Sequence, residues 1–168
     1  GTGDMSGSVQ NTVGGWRLSS DIGCVFIGME GLIHSYQYVP SEQSKALIEK
    51  LIALFERMDL VGIKAQTHAS LTAMRGMLRY AALTGDTTLI PKVETRWKLY
   101  KEFGMTENYE NYNWFGRYDT WTEPCAIIDS YLVATQLWAV TRNPQYLEDA
   151  DKIYLNGIAA TQRANGGF

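Results

Sequence analysis

The chain has 168 residues, a net charge of -3 and a sequence pI near 5.4, which allows one real core: a single domain or a piece of a larger one. No basic patch is on offer for a phosphate backbone, so nucleic acid is not an expected partner. No apolar run approaches the length of a membrane span and the start lacks a charged-then-apolar leader, so no membrane partner is expected and the compartment stays undetermined.

In chain order, residues 1–18 form a Gly/Ser/Thr-rich segment ("GTGDMSGSVQNTVGG") read as flexible, and 19–168 read as helical throughout. The first helix is expected from Ser20 to about Tyr36 and the second from Ser41 to Met58. In the second, Leu47, Ile48, Leu51, Ile52, Phe55 and Met58 recur at i, i+3/i+4 to make one apolar face. A third is expected over Thr67 to Leu83, with the small residues Ala69, Ala73 and Gly76 letting neighbours approach. A fourth runs from Thr88 to Phe103, with Gly104 as its C-terminal cap. The fifth starts at Pro124, a residue favoured at the first helical position, and ends near Arg142. Asn143-Pro144 opens a sixth that continues to about Thr161.

These helices pair. "LRYAALTGDTTLIPKVETRWKLY" and "LWAVTRNPQYLEDADKIYLNG" share the order apolar helix, polar turn, amphipathic helix, and "LIHSYQYVPSEQSKALIEKLIALF" follows it more loosely. The turns lie roughly 45 and 57 residues apart, in the range of helical-hairpin repeats. "CAIIDSYLVATQLWAV" is apolar on nearly every side and belongs inside, whereas "PQYLEDADKIYLNG" keeps a charged outer face. The predicted fold is all-α: three helical hairpins forming part of an (α/α)6 toroid, a fragment of a larger catalytic domain.

The unusual chemistry lies between the fourth and fifth helices. There, Glu107 and Glu110 precede "NYNWFGRY", so aromatic flanks could desolvate a carboxylic acid toward general-acid duty. Glu110 reads as solvated, and Arg117 with Asp119 as a local ion pair. With five Trp and ten Tyr, the chain has rings to spare for the C–H faces of a sugar, or for filling a helical core. In Glu123-Pro124-Cys125, the carboxylate caps a helix and the thiol sits in its first turn, where the helix dipole favours a thiolate. Together they could reach one metal ion. Zinc wants four ligands, and the other soft candidates are Cys24, His34 and His68. Without a metal, Glu123 is an N-terminal cap and Cys125 a small buried residue. His34 reads as a satisfied core histidine. His68 opens the third helix, as a ligand for a sugar hydroxyl or as a first-turn residue only. Asp129, one turn past Cys125 on the most apolar helix, needs a partner if buried. Cys24 and Cys125 both read as free thiols.

Glu123-x-Cys125 opening an apolar helix, followed by "TRNPQYLEDADKIYLNGIAATQRANGGF", resembles the β-L-arabinofuranosidase-like glycoside hydrolases, long catalogued as a domain of unknown function. The similarity runs from about His68 to the C-terminus. It implies an (α/α)6 barrel, retaining hydrolysis of a carbohydrate substrate, and zinc as cofactor. By resemblance, Glu123 and Cys125 are zinc ligands, with two further cysteines downstream, one of them the nucleophile. Glu107 is then the acid/base and His68 touches the sugar; Trp114 and Tyr118, rings of the loop itself, are expected to line the substrate site. Two departures stand out: Pro124 replaces the motif's threonine, and the downstream cysteines fall outside this sequence. The expectation is that the chain needs the remainder of its own catalytic domain and is inactive alone. The competing readings are a metal-independent toroid hydrolase or lyase, and a non-catalytic helical-hairpin binding module.

Overall fold

The computed structural model describes Thr12–Val13, Trp16–Arg17 and residues 21–167, with side-chain environments from Val25 onward. Of the segment 1–18, Thr12–Val13 (β1) and Trp16–Arg17 (β2) pair antiparallel; its remainder, and the side chain of Cys24, lie outside the described residues. The rest is all-α. Six helices follow: α1 Asp21–Tyr38, α2 Glu42–Arg57, α3 Thr67–Thr84, α4 Leu89–Phe103, α5 Pro124–Thr141 and α6 Pro144–Ile153, which runs into a π-helical turn, Tyr154–Ala159.

Local chemistry sets most of these bounds. Ser41 caps α2 in a reciprocal capping box with Ser44, which satisfies amide donors that the first turn leaves unpaired. Asn143 caps α6 by accepting from the Gln145 amide at 3.1 Å. Pro124 and Pro144 stand in first turns, where a missing N–H costs nothing. Gly85 ends α3 in the left-handed region at φ 76, a conformation that glycine adopts without a Cβ clash. Gly104 works differently: at φ -122 it is not left-handed. A Cβ there would meet Tyr100 Cδ2 at 2.7 Å and Thr67 Cγ2 at 3.1 Å. It is a close-approach residue that brings the end of α4 against the start of α3.

α3 is the hub. It packs against α1 on one side and α5 on the other, and against α4; α2 packs on α1 and α6 on α5. Gly76 makes the α1 contact close, since a Cβ there would touch Glu30 Cα and Ile33 Cδ1 at 3.2 Å. The core is apolar and well filled: Phe26 meets Phe55 edge-on at 4.9 Å, and Trp97, Tyr100, Met74 and Ile33 are fully buried. The α2 face is Ile48, Leu51, Ile52, Leu54 and Phe55, with Met58 just beyond it; Leu47, expected on that face, is 46% exposed. Polar clips lock the outer elements. Arg96 of α4 donates to the carbonyls of Met58 (2.8 Å) and Phe55 (3.0 Å), capping α2 from outside. Between α4 and α6, buried Asp149 accepts from Lys101 Nζ at 2.7 Å and Trp97 Nε1 at 3.3 Å, which gives an enclosed carboxylate the partners it requires.

Two further expectations change. His34 is exposed beside Tyr38, because α1 buries its Phe26, Met29 and Ile33 stripe against its neighbours and turns His34 outward. α5 is buried on one face only: Ala126, Ile127, Val133, Ala134 and Leu137 point inward, while Ile128 and Val140 are 37% and 45% exposed. No described helix is long and apolar enough to cross a membrane.

Candidate active site at the α3–α5 seam

The site is built at one end of the molecule, where α3 and α5 begin and α4 ends. The chain between α4 and α5 folds back over this end. It is held by an antiparallel bridge between Met105 and Asn111 and another between Gln66 and Trp114. Buried Thr67 is the anchor: its amide donates to Asn113 O at 3.0 Å and its hydroxyl to Tyr112 O at 2.8 Å. Asn111, also buried, accepts from the Glu123 amide at 3.3 Å. The start of α5 is thereby tied to the Glu107 hairpin.

Glu123 is the N-cap of α5, but its side chain makes no capping bond. The carboxylate turns instead to Gln66 Nε2 at 3.3 Å and to the Asn113 amide, whose O/N orientation is assigned by its neighbours: nitrogen toward Glu123 at 2.6 Å, oxygen toward Trp121 Nε1 at 3.2 Å. Cys125, two residues on, is an exposed free thiol. It is not the activated thiolate that a helix start suggests. Water withdrawn by the surrounding protein, and then the adjacent Glu123 carboxylate, push the thiol up to about 12. Both disfavour a second negative charge, and the first-turn amides only partly offset them. The reading of Cys125 as a buried small residue also fails, because it is exposed.

Asp129 lies one turn deeper and is 3% exposed. Thr72 donates to its Oδ2 at 2.6 Å, His68 Nδ1 lies 2.8 Å from the same oxygen, and Arg75 donates to Oδ1. Burial alone would raise its pKa, but His68, Thr72 and Arg75 outweigh burial and hold the carboxyl below the usual range. Reciprocally, the Asp129 carboxylate 2.8 Å from Nδ1 raises the basicity of His68, with Glu123 adding to the effect and burial opposing it.

The structure thus sets two pairs along one seam: Glu123 with Cys125 at the start of α5, and His68 with Asp129 one turn deeper. No family model, curated protein or solved structure matches this chain.

Other expected residues stand apart from that cluster. Glu107 is exposed in the Thr106–Tyr109 turn, so the aromatic flanks do not desolvate it. It shares the same end of the molecule as Cys125 but makes no ion pair or hydrogen bond to the cluster among the described residues. Trp114 is 7% exposed and packs beneath the loop. Tyr118 is 60% exposed and stands edge-on to Tyr112 at 5.1 Å. Arg117 and Asp119 do form the expected local pair, at 2.8 Å. The exposed ring next to the cluster is Trp121, at 52%. Gln66, Thr72, Arg75, Asn111, Asn113 and Trp121 escaped sequence reasoning. Thr72 and Arg75 follow His68 by one and two turns on a single stripe of α3, and that spacing was the available signal.

Among the described residues, no group of three or more His, Cys, Asp or Glu could hold a metal ion. Glu123 and Cys125 alone are adjacent oxygen and sulfur donors, half of a four-ligand zinc set.

Proposed function

We propose that this chain belongs to the catalytic domain of a glycoside hydrolase of the β-L-arabinofuranosidase-like kind, acting with retention. The observation that carries the reading is the meeting of Glu123, Cys125 and the His68–Asp129 pair at one end of the α3–α5 seam. The packing order supports an (α/α)6 toroid: α1, α3 and α5 make an inner row, and α2, α4 and α6 each back their predecessor. A groove of about 690 Å³ between α5 and α6, lined by Tyr131, Leu147 and Tyr154 together with the acidic Glu148 and Asp151, is the surface we assign to the remainder of the catalytic domain.

In this reading Glu107 is the acid/base, and Trp121 joins Tyr118 as a ring open to a sugar face. His68 addresses a sugar hydroxyl. Trp114 supports the loop from below. Glu123 and Cys125 would hold zinc together with cysteines outside this sequence, one of which is the nucleophile. When bound, zinc supplies the positive charge that keeps a thiol deprotonated near neutral pH. The chain's own part is to orient the donors. Gln66 and Asn113 fix the Glu123 carboxylate, and the α5 first turn presents Cys125 beside it.

The test is zinc analysis and arabinofuranosidase assay of the full-length gene product, with Glu107→Gln and Cys125→Ser. Loss of turnover in both, with zinc lost only in Cys125→Ser, supports the assignment. Turnover that survives both changes sinks it. A metal-independent hydrolase or lyase is the second reading, favoured by one fact: the His68–Asp129 pair is complete within the chain, whereas the metal pair is not. Activity resistant to chelators but lost in His68→Gln would select it.

A further inference from the structure

The donors around Asp129 constrain His68 more than proximity alone does. An ionised carboxylate only accepts hydrogen bonds. The Arg75 guanidinium donates to Oδ1 and so holds the group as the anion, while the one Thr72 proton is shared between Oδ2 at 2.6 Å and the His68 carbonyl at 2.9 Å. The buried Nδ1 of His68 lies 2.8 Å from Oδ2, an approach too bent for full hydrogen-bond geometry, and no other group partners it. A ring nitrogen carrying a lone pair would face the carboxylate repulsively at that distance. Nδ1 must therefore carry the proton, which leaves Nε2 as the nitrogen free for a ligand.

We propose that Asp129 is a positioning residue that fixes His68 as the Nδ1–H tautomer, so that the neutral ring offers Nε2 as a hydrogen-bond acceptor to a ligand hydroxyl. Three contacts make the arrangement rigid. Asp129 comes from α5, while His68, Thr72 and Arg75 come from successive turns of α3, so the α3–α5 packing itself sets the ring plane. The charged groups facing the imidazole are Asp129 from α5, Glu123 from its cap and Arg75 from α3. This inference rests on the glycosidase reading only for naming the ligand group a sugar hydroxyl. The tautomer stands on geometry.

Long-range 1H–15N correlation spectra of the uniformly labelled chain read the tautomer directly, above the pH at which the ring titrates. The chain has two histidines, and exposed His34 is the internal reference. Histidine-to-glutamine changes assign the signals. His68 is expected with a protonated Nδ1 and an unprotonated Nε2, while His34 shows the mixture dominated by Nε2–H that is ordinary for free imidazole. Asp129→Ala should return His68 to the His34 pattern, and Thr72→Val, which keeps the carboxylate, should leave it fixed. A His68 protonated on Nε2 in the wild type overturns the proposal, as does an Asp129→Ala chain that keeps its helical circular dichroism and an unchanged His68 pattern. If Asp129→Ala does not fold, the wild-type spectrum decides. A failed glycosidase assay would leave these spectra untouched, so the two ideas fail separately.

Discussion

Replacing Asp129 with asparagine keeps the shape of the side chain and removes its charge. Arg75 and His68 then lose the anion they face, while Thr72 keeps an acceptor. Hydrogen bonds to charged groups contribute about 1.5–3 kcal/mol each, and stripping one partner from a buried ion pair costs about 3–5 kcal/mol. Arg75 is 23% exposed, so water recovers part of the loss, and we expect about 3 kcal/mol near pH 5.5. For a domain of this size that lowers Tm by about 6–12 °C. The pH dependence carries a sign. Asp129 is held below its ordinary pKa, so its contribution is present above about pH 4 and fades as pH falls through the folded value. His68 is held above 6.5, so its contribution is full below about pH 6.5 and fades as pH rises through its folded value. The difference in unfolding free energy between wild type and Asp129→Asn, from urea titrations, should therefore be greatest between about pH 4 and 6.5 and shrink on either side. A difference below about 0.5 kcal/mol at pH 5.5, or one that does not change up to pH 9, would refute the reasoning.

Cys125 should alkylate slowly at pH 7.5 despite its exposure, and Glu123→Gln should speed its reaction with iodoacetamide by removing the adjacent charge; the rate of mass gain on the assigned peptide checks it. Phe55→Ala, which empties a fully buried ring site against Phe26, should cost about 3–5 kcal/mol in a urea titration. Gly104→Ala should cost about 1–3 kcal/mol through overpacking, because the new methyl meets the Tyr100 ring; the same mutation in an ordinary glycine cap would test nothing about packing.

Most of the fold was legible because its signals are local. Ser41, Pro124, Asn143-Pro144 and Gly85 mark helix ends by chemistry that acts within one turn, and the observed bounds fall within a residue or two of them. The end of α6 was not legible. After Ile153 the backbone widens into a π turn, and Gly157 there passes so close to α5 that a Cβ would meet Ile127 Cγ2 at 2.7 Å, a tertiary cause. His34 misled for a similar reason: an α1 that is apolar nearly all round does not say which side faces α3. In the site, the adjacency of Glu123 and Cys125 follows from two positions of spacing. The partners of Asp129 come from another helix, so sequence could demand them without naming them. Glu123 as a cap was a sound local rule overridden by Asn113 and Gln66, which offered its carboxylate better donors than the α5 amides.

The most direct test of the central claim is hydrolysis of an aryl β-L-arabinofuranoside by the full-length gene product and its Cys125→Ser variant. Turnover is expected from the wild-type protein, with a drop of about 100-fold in the variant that loses a metal ligand. Equal turnover in both, or none in a folded, zinc-loaded wild type, would contradict it.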